Sequence, residues 1–358
     1  MKHYLYFGEV GMKVFKVGVI GCGGIAQKAH FPNINSNPEL DLTCVVDVDV
    51  KKATYIKEKF HAKHAFSDYR DLLKIADLDA VHICTPNYLH AQIAMESLKA
   101  GKHVLIEKPV ATTVEDTVKI YKIAKECNKV VMSANCFRYV TEGQVIKKFI
   151  DNDRLGEIYY ANVKALRRRG IPPHGVFTKK EFQGGGPLID IGIHQIDLAM
   201  YLMGNPKPLR ISGQTFTKIG NTPGHAFGVR GKWDHQNYDI EDFACGMVRF
   251  DNGAIMNIET SFAANIQKDI SSVTLLGTKG GADTQPICIY TEEDEMMIDV
   301  TPVSLMPTNF YDVEIKGFYK SVREGTETPI TYEETLNVIK IIEGIYKSSE
   351  QGKEIEIS

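Results

Sequence analysis

The segment that most constrains the fold is an apolar run that leads into a glycine-rich turn, FKVGVIGCGGIA at residues 15–26. Such a run predicts a buried parallel strand, and glycines allow a following turn too tight for a Cβ. The turn has the pattern G-x-G-x-x-A, in which Gly21 makes the turn, Gly23 lets a pyrophosphate approach and Ala26 packs helix against strand. The next helix would point its N-terminal N–H groups at that pyrophosphate.

A second apolar run, residues 42–46, ends at Asp47, about 20 residues after the turn. A carboxylate at this spacing holds the adenosine ribose hydroxyls of a dinucleotide. The alternative is a purely structural βαβ unit in which Asp47 caps or turns the chain. Asp47 favours NAD, because it would repel a 2′-phosphate. Lys51 and Lys52 lie close by and leave NADP as the alternative.

Composition excludes several classes of protein. The 358 residues carry a net charge of −3, which leaves no electrostatic footprint for nucleic acid or an anionic membrane. No apolar run reaches the length of a membrane span, and the N-terminus lacks the apolar core of a secretory signal. Residues 1–12 are expected to be an extension. The seven scattered cysteines, with no C-x-x-C, suit a reducing cytoplasm.

Strand and helix patterns alternate up to about residue 136, which predicts a doubly wound parallel sheet in residues 13–136. Beyond it, strand-like runs with a hairpin at Asp251-Asn252-Gly253 predict an α+β domain over 137–358 with a large, mostly antiparallel open sheet. A capping box, Thr331 to Glu334, begins the last helix, which could pack back on the first domain.

Polar residues follow three of the predicted parallel strands. They are Thr85-Pro86-Asn87, Glu107-Lys108-Pro109 and Asn135-Cys136-Phe137-Arg138. Ligands of such sheets bind outside the carboxyl ends of the strands, so these segments and the glycine turn would share one rim. The alternative is that each is an ordinary loop.

In the second half, GGGPLIDIGIHQID at residues 184–197 predicts a helix starting at Pro187, with Asp190 and His194 on one face. A histidine beside a carboxylate is a tunable proton acceptor, whereas a helical histidine satisfied by its aspartate is the structural alternative. Asp197 could complete a metal site, but no further ligand cluster presents itself, and no metal is expected. Lys108 could stabilise a developing alkoxide, or be a solvated loop charge.

Together, GCGGIA, CTPNYLH, EKPV, ANCFRY and GGGPLIDIGIHQIDL resemble the glucose–fructose oxidoreductase, inositol dehydrogenase and rhizopine-catabolism (Gfo/Idh/MocA) family over essentially the whole chain from about residue 13. The resemblance implies NAD(P)-dependent oxidation of a sugar or cyclic polyol hydroxyl, or the reverse reduction. It implies that Lys108 contacts cofactor and substrate, that His194 is the general acid/base and that Asp190 binds substrate and orients the pair. It also implies a homodimer or homotetramer paired through the second sheet.

Motifs and resemblance together give a set of expected cofactor-binding residues: Gly21, Gly23, Gly24, Ile25, Ala26, Asp47, Thr85, Pro86, Asn87, His90, Glu107, Lys108, Asn135 and Arg138. Besides Asp190 and His194, substrate contacts are expected from Arg167, Arg169 and His174. If two arginines face the pocket, they would favour an acidic or phosphorylated sugar. Two rival functions remain. One is a redox-assisted glycosidase with tightly bound NAD, and the other is a non-catalytic sugar- or NAD-binding regulator.

Overall fold

The computed structural model describes residues 13–173 and 175–357, so the predicted extension 1–12 and the predicted substrate residue His174 lie outside the described residues. The first half contains six short strands of mostly buried apolar residues: β1 (Phe15–Ile20), β2 (Leu40–Val46), β3 (His64–Phe66), β4 (Ala80–Ile83), β5 (His103–Glu107) and β6 (Val131–Ala134). They form one parallel sheet, as predicted, and its strand order is β3-β2-β1-β4-β5-β6. The strand order reverses between β1 and β4, where α/β sheets of this kind bind their ligands.

Five helices connect these strands: α1 (Phe31–Ser36), α2 (Val50–Phe60), α3 (Tyr69–Leu73), α4 (His90–Lys99) and α5 (Val114–Glu126). Their ends follow local chemistry. The Asp49 side chain accepts from two N–H groups at the start of α2, and Thr113 caps α5, because short polar side chains satisfy the free N–H groups of a first turn.

The described residues of the second half form nine strands: β7 (Ile158–Leu166), β8 (Pro208–Phe216), β9 (Phe243–Phe250), β10 (Ile255–Ser261), β11 (Ile270–Gly277), β12 (Gly281–Thr284), β13 (Ile287–Glu293), β14 (Met296–Val300) and β15 (Ile355–Glu356). Their order is β14-β13-β12-β11-β7-β10-β9-β8-β15, and β7 with β10 is the parallel pair in an otherwise antiparallel sheet. The predicted hairpin at 251–253 joins β9 to β10, with Gly253 at φ 84°. The sequence did not predict the short strands β12 and β15.

The helices of this half are α6 (Thr141–Asp151), α7 (Lys180–Gln183), α8 (Ile193–Leu202), α9 (Phe310–Glu324) and α10 (Tyr332–Gln351). The predicted capping box at Thr331 is present, and α10 packs on β8 and α5. Although α9 follows the second sheet in the chain, its Ile315, Phe318 and Tyr319 are buried with Phe15 of β1 in the core of the first sheet.

One hydrophobic core runs through both halves of the described chain. It joins Ile83 and Ile106 of the first sheet with Ile193 of α8, Ile258 of the second sheet and Ile342 of α10. The carboxyl ends of the parallel strands are therefore held in a fixed position against α8. In the described residues, no helix combines the length and the apolar character that a membrane crossing needs.

Candidate active site

The glycine turn has the geometry of a phosphate cradle. Gly21 has φ 97°, and a Cβ there would lie 2.4 Å from the Cys84 carbonyl oxygen, so this position excludes any side chain. A Cβ on Gly23 or Gly24 would meet nothing within 4 Å. The turn is thus closed on the side of β4 and open on the side where a pyrophosphate would approach its N–H groups.

Asp47 lies against this turn. Its Oδ2 accepts from the Cys22 backbone N–H at 3.0 Å and from Lys52 Nζ at 2.8 Å. Burial, the largest single effect, would raise the pKa of Asp47. The hydrogen bonds from Lys52 and from the Asp49 and Cys22 N–H groups, with the charge of Lys52, together leave the pKa below its usual value. Ile25 and the π-helical turn Ala26–His30 follow the glycines. These residues fit the adenosine and pyrophosphate parts of a dinucleotide.

The loop after β4 also carries an unpaired polar atom. Thr85 Oγ1 is buried and has no hydrogen-bond partner among the described residues. Pro86 leads into a single 3-10 turn, and the Asn87 amide donates to the Gln183 carbonyl at 2.9 Å. The loop is therefore tied to the segment that precedes GGGP, and Thr85 is left with hydrogen-bonding capacity at the rim.

His90 connects two of the predicted cofactor loops. Its ring nitrogens lie 2.8 Å from the Thr85 carbonyl oxygen and 2.7 Å from that of Pro109, and the ring is fully buried. Burial lowers the pKa of His90. A neutral ring donates to one of these carbonyl oxygens at a time, but the protein covers both ring nitrogens. His90 therefore fixes the spacing of the loops and has no ring nitrogen left for a ligand. Glu107, at the end of β5, is mostly buried beside Lys108.

Asn135 and Arg138 are occupied within the protein. Arg138 is 1% exposed and binds Asp197 through Nε and Nη2, both at 2.7 Å, while Nη1 lies 2.8 Å from Glu334. The Asn135 amide donates to Asp197 at 2.7 Å. This buried ion pair ties the loop after β6 to α8 and α10. The side chains of Asn135 and Arg138, which were expected to bind the cofactor, are engaged with Asp197 and Glu334 in this structure. Nor does Asp197 face Asp190 and His194, because Arg138 holds its carboxylate.

Lys108 and Asp190 come together from separate halves of the chain. Lys108 Nζ donates to Asp190 Oδ1 at 2.9 Å and to the Asp190 carbonyl oxygen at 2.5 Å. Only 15% and 18% of these side chains are exposed, so the pair is weakly screened. Burial, the largest single effect, would raise the pKa of Asp190, but the charge and hydrogen bond of Lys108, with smaller contributions from His194 and Arg167, together lower it. The resemblance implied that Asp190 orients Lys108 and His194, and the structure places Asp190 in contact with Lys108.

His194 completes this cluster. Its ring stacks on Phe137, with centroids 4.3 Å apart and planes at 24°. Nδ1 is buried and has no hydrogen-bond partner among the described residues. Nε2 is accessible, has no partner in the described part of the chain either, and faces the cleft. Burial first, and Lys108 second, lower the pKa of His194 to about 3 against the opposing effect of Asp190. The imidazole is neutral at ordinary pH and can accept a proton.

The segment that carries Asp190 and His194 begins irregularly. Residues Leu188–Gly192 form a π-helical turn, which continues as α8, and such turns recur at functional sites. The predicted helix from Pro187 is confirmed, but not its regular form. Two residues that the sequence did not indicate stabilise the start of this helix. The Glu241 carboxylate accepts hydrogen bonds from the N–H groups of Gly186 at 2.8 Å and Leu188 at 3.2 Å. The Tyr346 hydroxyl donates to Glu241 at 2.9 Å.

The arginines after β7 differ from one another. The half-buried Arg167 donates to the Gly170 carbonyl at 3.2 Å and lies over the Phe262 ring, and its charge acts on both Asp190 and His194. Burial first, and the like charge of Arg230 second, lower the pKa of Arg167. Arg169 instead donates to the loop at Ala264 and Asn265. Arg167 is therefore the arginine that belongs to the Lys108–Asp190–His194 cluster.

Comparison with known proteins identifies the family. The family model described as an oxidoreductase family with an NAD-binding Rossmann fold matches residues 15–135, and the model of that family's C-terminal alpha/beta domain matches residues 147–357. The chain belongs to this family. The Gfo/Idh/MocA resemblance, the nicotinamide-dependent oxidoreductase class and the NAD cofactor predicted from the motifs are thereby confirmed.

Two similar proteins of this family bear sugar dehydrogenase names. The chain is 34% identical to D-glucoside 3-dehydrogenase of Escherichia coli over 343 residues, which cover 96% of this chain and 97% of that protein. It is 25% identical to levoglucosan dehydrogenase of Pseudarthrobacter phenanthrenivorans over 97% of this chain and 99% of that one. A solved structure of levoglucosan dehydrogenase with NADH superposes with a TM-score of 0.83 at 24% identity, covering 97% of this chain and all of the other, and shows the shared fold.

Proposed function

We propose that this family member oxidises a secondary ring hydroxyl of a glucose-type glycoside, with NAD as the hydride acceptor. The observation that carries the proposal is the Lys108–Asp190–His194 cluster, which lies on the same rim as the glycine turn. The relative of 34% identity is named a D-glucoside 3-dehydrogenase, which supports the third ring carbon as the position oxidised.

The residues divide the reaction among them. When bound, the nicotinamide supplies the acceptor for the hydride. Lys108 donates a hydrogen bond to the reacting oxygen and stabilises its developing negative charge, and Asp190 holds the ammonium in place. In the tautomer with its proton on Nδ1, neutral His194 accepts the hydroxyl proton at Nε2 as the hydride leaves. Phe137 stacks on the imidazole and fixes its plane.

Arg167 is proposed as a substrate residue, because its positive charge lies near the cluster and faces no carboxylate at ion-pair distance in the described residues. We expect Arg167→Gln to raise KM for the sugar about tenfold while the Kd of NADH stays unchanged, since a hydrogen bond from a charged group contributes roughly 1.5–3 kcal/mol. The matched control is Arg168→Gln, because Arg168 is exposed and donates to the Gln267 carbonyl. Equal effects of the two substitutions would remove Arg167 from the site.

The test of the proposed function is NADH formation, followed by absorbance, with methyl glucosides, free sugars, cyclic polyols and sugar acids. Substrate deuterated at the third carbon should transfer the label to the nicotinamide, and its 3-deoxy analogue should give no NADH. Transfer from another carbon would contradict the position proposed. Release of free sugar without net NADH would favour the redox-assisted glycosidase, and activity in Lys108→Met and His194→Asn would exclude the assigned chemistry.

The open sheet is the proposed contact between subunits of a cytoplasmic homodimer or homotetramer. On one face of β7, β9 and β10 the side chains of Tyr160, Asn162 and Met247 are only partly buried, around a shallow depression of about 620 Å³. All seven cysteines are free thiols, which suits a reducing compartment. We expect Met247→Glu to reduce the mass measured by light scattering, whereas Met297→Glu on the exposed edge strand β14 should not.

A further inference from the structure

Four buried polar side chains behind the strand ends form a hydrogen-bonded chain that the proposed reaction does not use. Tyr319 Oη lies 3.0 Å from His82 Nε2, His82 Nδ1 lies 2.9 Å from His30 Nδ1, and His30 Nε2 lies 2.9 Å from Glu107 Oε1. The exposed fractions of Tyr319, His82 and His30 are 1%, 0% and 1%. The chain thus begins on α9 and ends beside Lys108.

The contacts permit a single direction of donation when both imidazoles are neutral and the tyrosine is satisfied. Tyr319 donates to His82 Nε2, so the proton of His82 is on Nδ1 and is donated to His30 Nδ1. The proton of His30 is then on Nε2 and is donated to Glu107, which accepts as a carboxylate. The reverse direction would require a protonated Glu107 and would leave the buried Tyr319 hydroxyl without an acceptor.

This chain does not conduct protons to water. Tyr319 is its far end, and His82 is the one hydrogen-bond partner of Tyr319 in the described part of the protein. Burial first, and His30 second, lower the pKa of His82, which keeps that ring neutral. A closed chain of this kind fixes the position of its last acceptor, because every donor in it is already committed.

Glu107 still has one oxygen available. Oε1 is engaged with His30. The side chain remains 10% exposed, and the accessible oxygen is Oε2. The neighbouring Glu314 is fully buried, and burial, reinforced by Glu107, raises its pKa well above the usual value, so it is neutral. Glu107 is therefore the carboxyl group that this face of β5 presents to the cleft.

We propose that Tyr319, His82 and His30 are positioning residues for Glu107, whose second oxygen accepts a hydrogen bond from the nicotinamide nucleoside of the cofactor. Asp47 follows β2, on one side of β1, whereas Glu107 is the last residue of β5, two strands away on the other side. A dinucleotide with its adenosine ribose at Asp47 would direct its other nucleoside towards β5. The inference rests on the cofactor placement assumed in the proposed function.

The experiment compares His30→Met, which has no donor for Glu107, with His30→Gln, whose amide can donate. NADH binding is followed by its fluorescence, and ADP, which lacks the nicotinamide nucleoside, probes the adenosine side alone. We expect His30→Met to lower the affinity for NADH about tenfold, as for the loss of a hydrogen bond to a charged group, and to leave the affinity for ADP unchanged. His30→Gln should restore most of the NADH affinity.

A second pair of variants tests Tyr319, at the far end of the hydrogen-bonded chain. Tyr319→Phe removes the first donor and should weaken NADH about threefold, because the chain loses its fixed direction but keeps both histidines. Tyr121→Phe is the matched control, since Tyr121 is a partly buried tyrosine whose hydroxyl donates to Thr335 at 3.2 Å, away from β5. It should bind NADH as the wild type does.

The outcomes separate the two proposals. Wild-type protein that binds ADP but not NADH would overturn the proposed function and this inference together. NADH affinity unchanged in both His30→Met and Tyr319→Phe would overturn the positioning chain alone, as would equal losses of NADH and ADP affinity. Nitrogen NMR of the histidines gives an independent check. Protons on His82 Nδ1 and His30 Nε2 support the chain, and the opposite tautomers contradict it.

Discussion

Replacing Glu241 by alanine tests how the helix that carries Asp190 and His194 is held. The carboxylate is 7% exposed and accepts three hydrogen bonds, from the N–H groups of Gly186 and Leu188 and from the Tyr346 hydroxyl. In Glu241→Ala all three donors lose their partner in a buried place. A Cβ on Gly186 would lie 2.2 Å from the Glu241 carbonyl oxygen, so the two segments are in close contact and cannot easily separate to admit water.

The expected magnitude follows from these contacts. Each buried donor left unpaired costs about 1–3 kcal/mol, and three such donors would cost several kcal/mol. Burial raises the pKa of Glu241, which shows that holding the charge in the interior is unfavourable, and alanine removes that opposing contribution. We therefore expect a net loss of about 3 kcal/mol in the free energy of unfolding. Tyr346→Phe, which removes one donor with its hydrogen bond, should cost about 1.5 kcal/mol.

Urea unfolding followed by circular dichroism measures these losses, and the double variant measures their coupling. Because Tyr346→Phe removes a donor that Glu241→Ala leaves unpaired, the double variant should lose about 1 kcal/mol less than the sum of the two. Turnover should fall in Glu241→Ala, since the start of the catalytic helix loses its anchor, while NADH affinity stays near the wild-type value. A loss below about 0.5 kcal/mol, within the range of ordinary surface substitutions, would refute this account of the helix start.

Three further predictions concern the glycine turn, the ribose carboxylate and the histidine. Gly21→Ala should lower stability by about 1–3 kcal/mol in urea unfolding, whereas Gly24→Ala, with open space around its Cβ, should leave stability unchanged and weaken NADH. In binding titrations, Asp47→Ala should lower the affinity for NAD about tenfold and bring the affinity for NADP closer to that for NAD, because Lys52 loses its partner. An unchanged ratio of the two affinities would show that another group binds the adenosine ribose. The pKa of His194 is about 3 in the folded protein, below its unfolded value, so its contribution to stability is complete above the unfolded pKa and is lost as pH falls from about 6.5 to 3. In His194→Asn, the free energy of unfolding should fall less steeply as pH is lowered over that range. The same dependence on pH as in the wild type would contradict the lowered pKa of His194.

The sequence predicted the parts of this protein that depend on local pattern. The contact of Lys108 with Asp190 was expected from the family resemblance. The glycine turn and Asp47 beside it follow from a motif whose spacing has a direct geometric meaning. The alternation of strands and helices predicted the parallel sheet for the same reason. The capping box from Thr331 to Glu334 was predicted because capping depends on residues within one turn.

What the sequence did not predict depends on contacts between distant segments. Arg138 follows a parallel strand and looks like a rim residue, but its position is decided by Asp197 on α8 and Glu334 on α10. Glu241 and Tyr346 likewise meet the start of the catalytic helix only after the second sheet has formed. No local signal distinguishes such buried polar residues from surface ones. The π-helical turn at 188–192 was missed because a helical periodicity does not reveal one extra residue in a turn.

The placement of α9 has a consequence for biosynthesis. Phe318 and Tyr319 complete the hydrophobic core that contains Phe15. The parallel sheet, which is translated first, therefore lacks part of the apolar surface that packs against it until more than 300 residues have been translated. A nascent chain that has emerged only as far as β6 exposes this apolar surface, and chains in that state are prone to aggregation or to capture by chaperones. A fragment ending at residue 136 should therefore fail to fold by itself, and co-expression of a second fragment that includes α9 should rescue it.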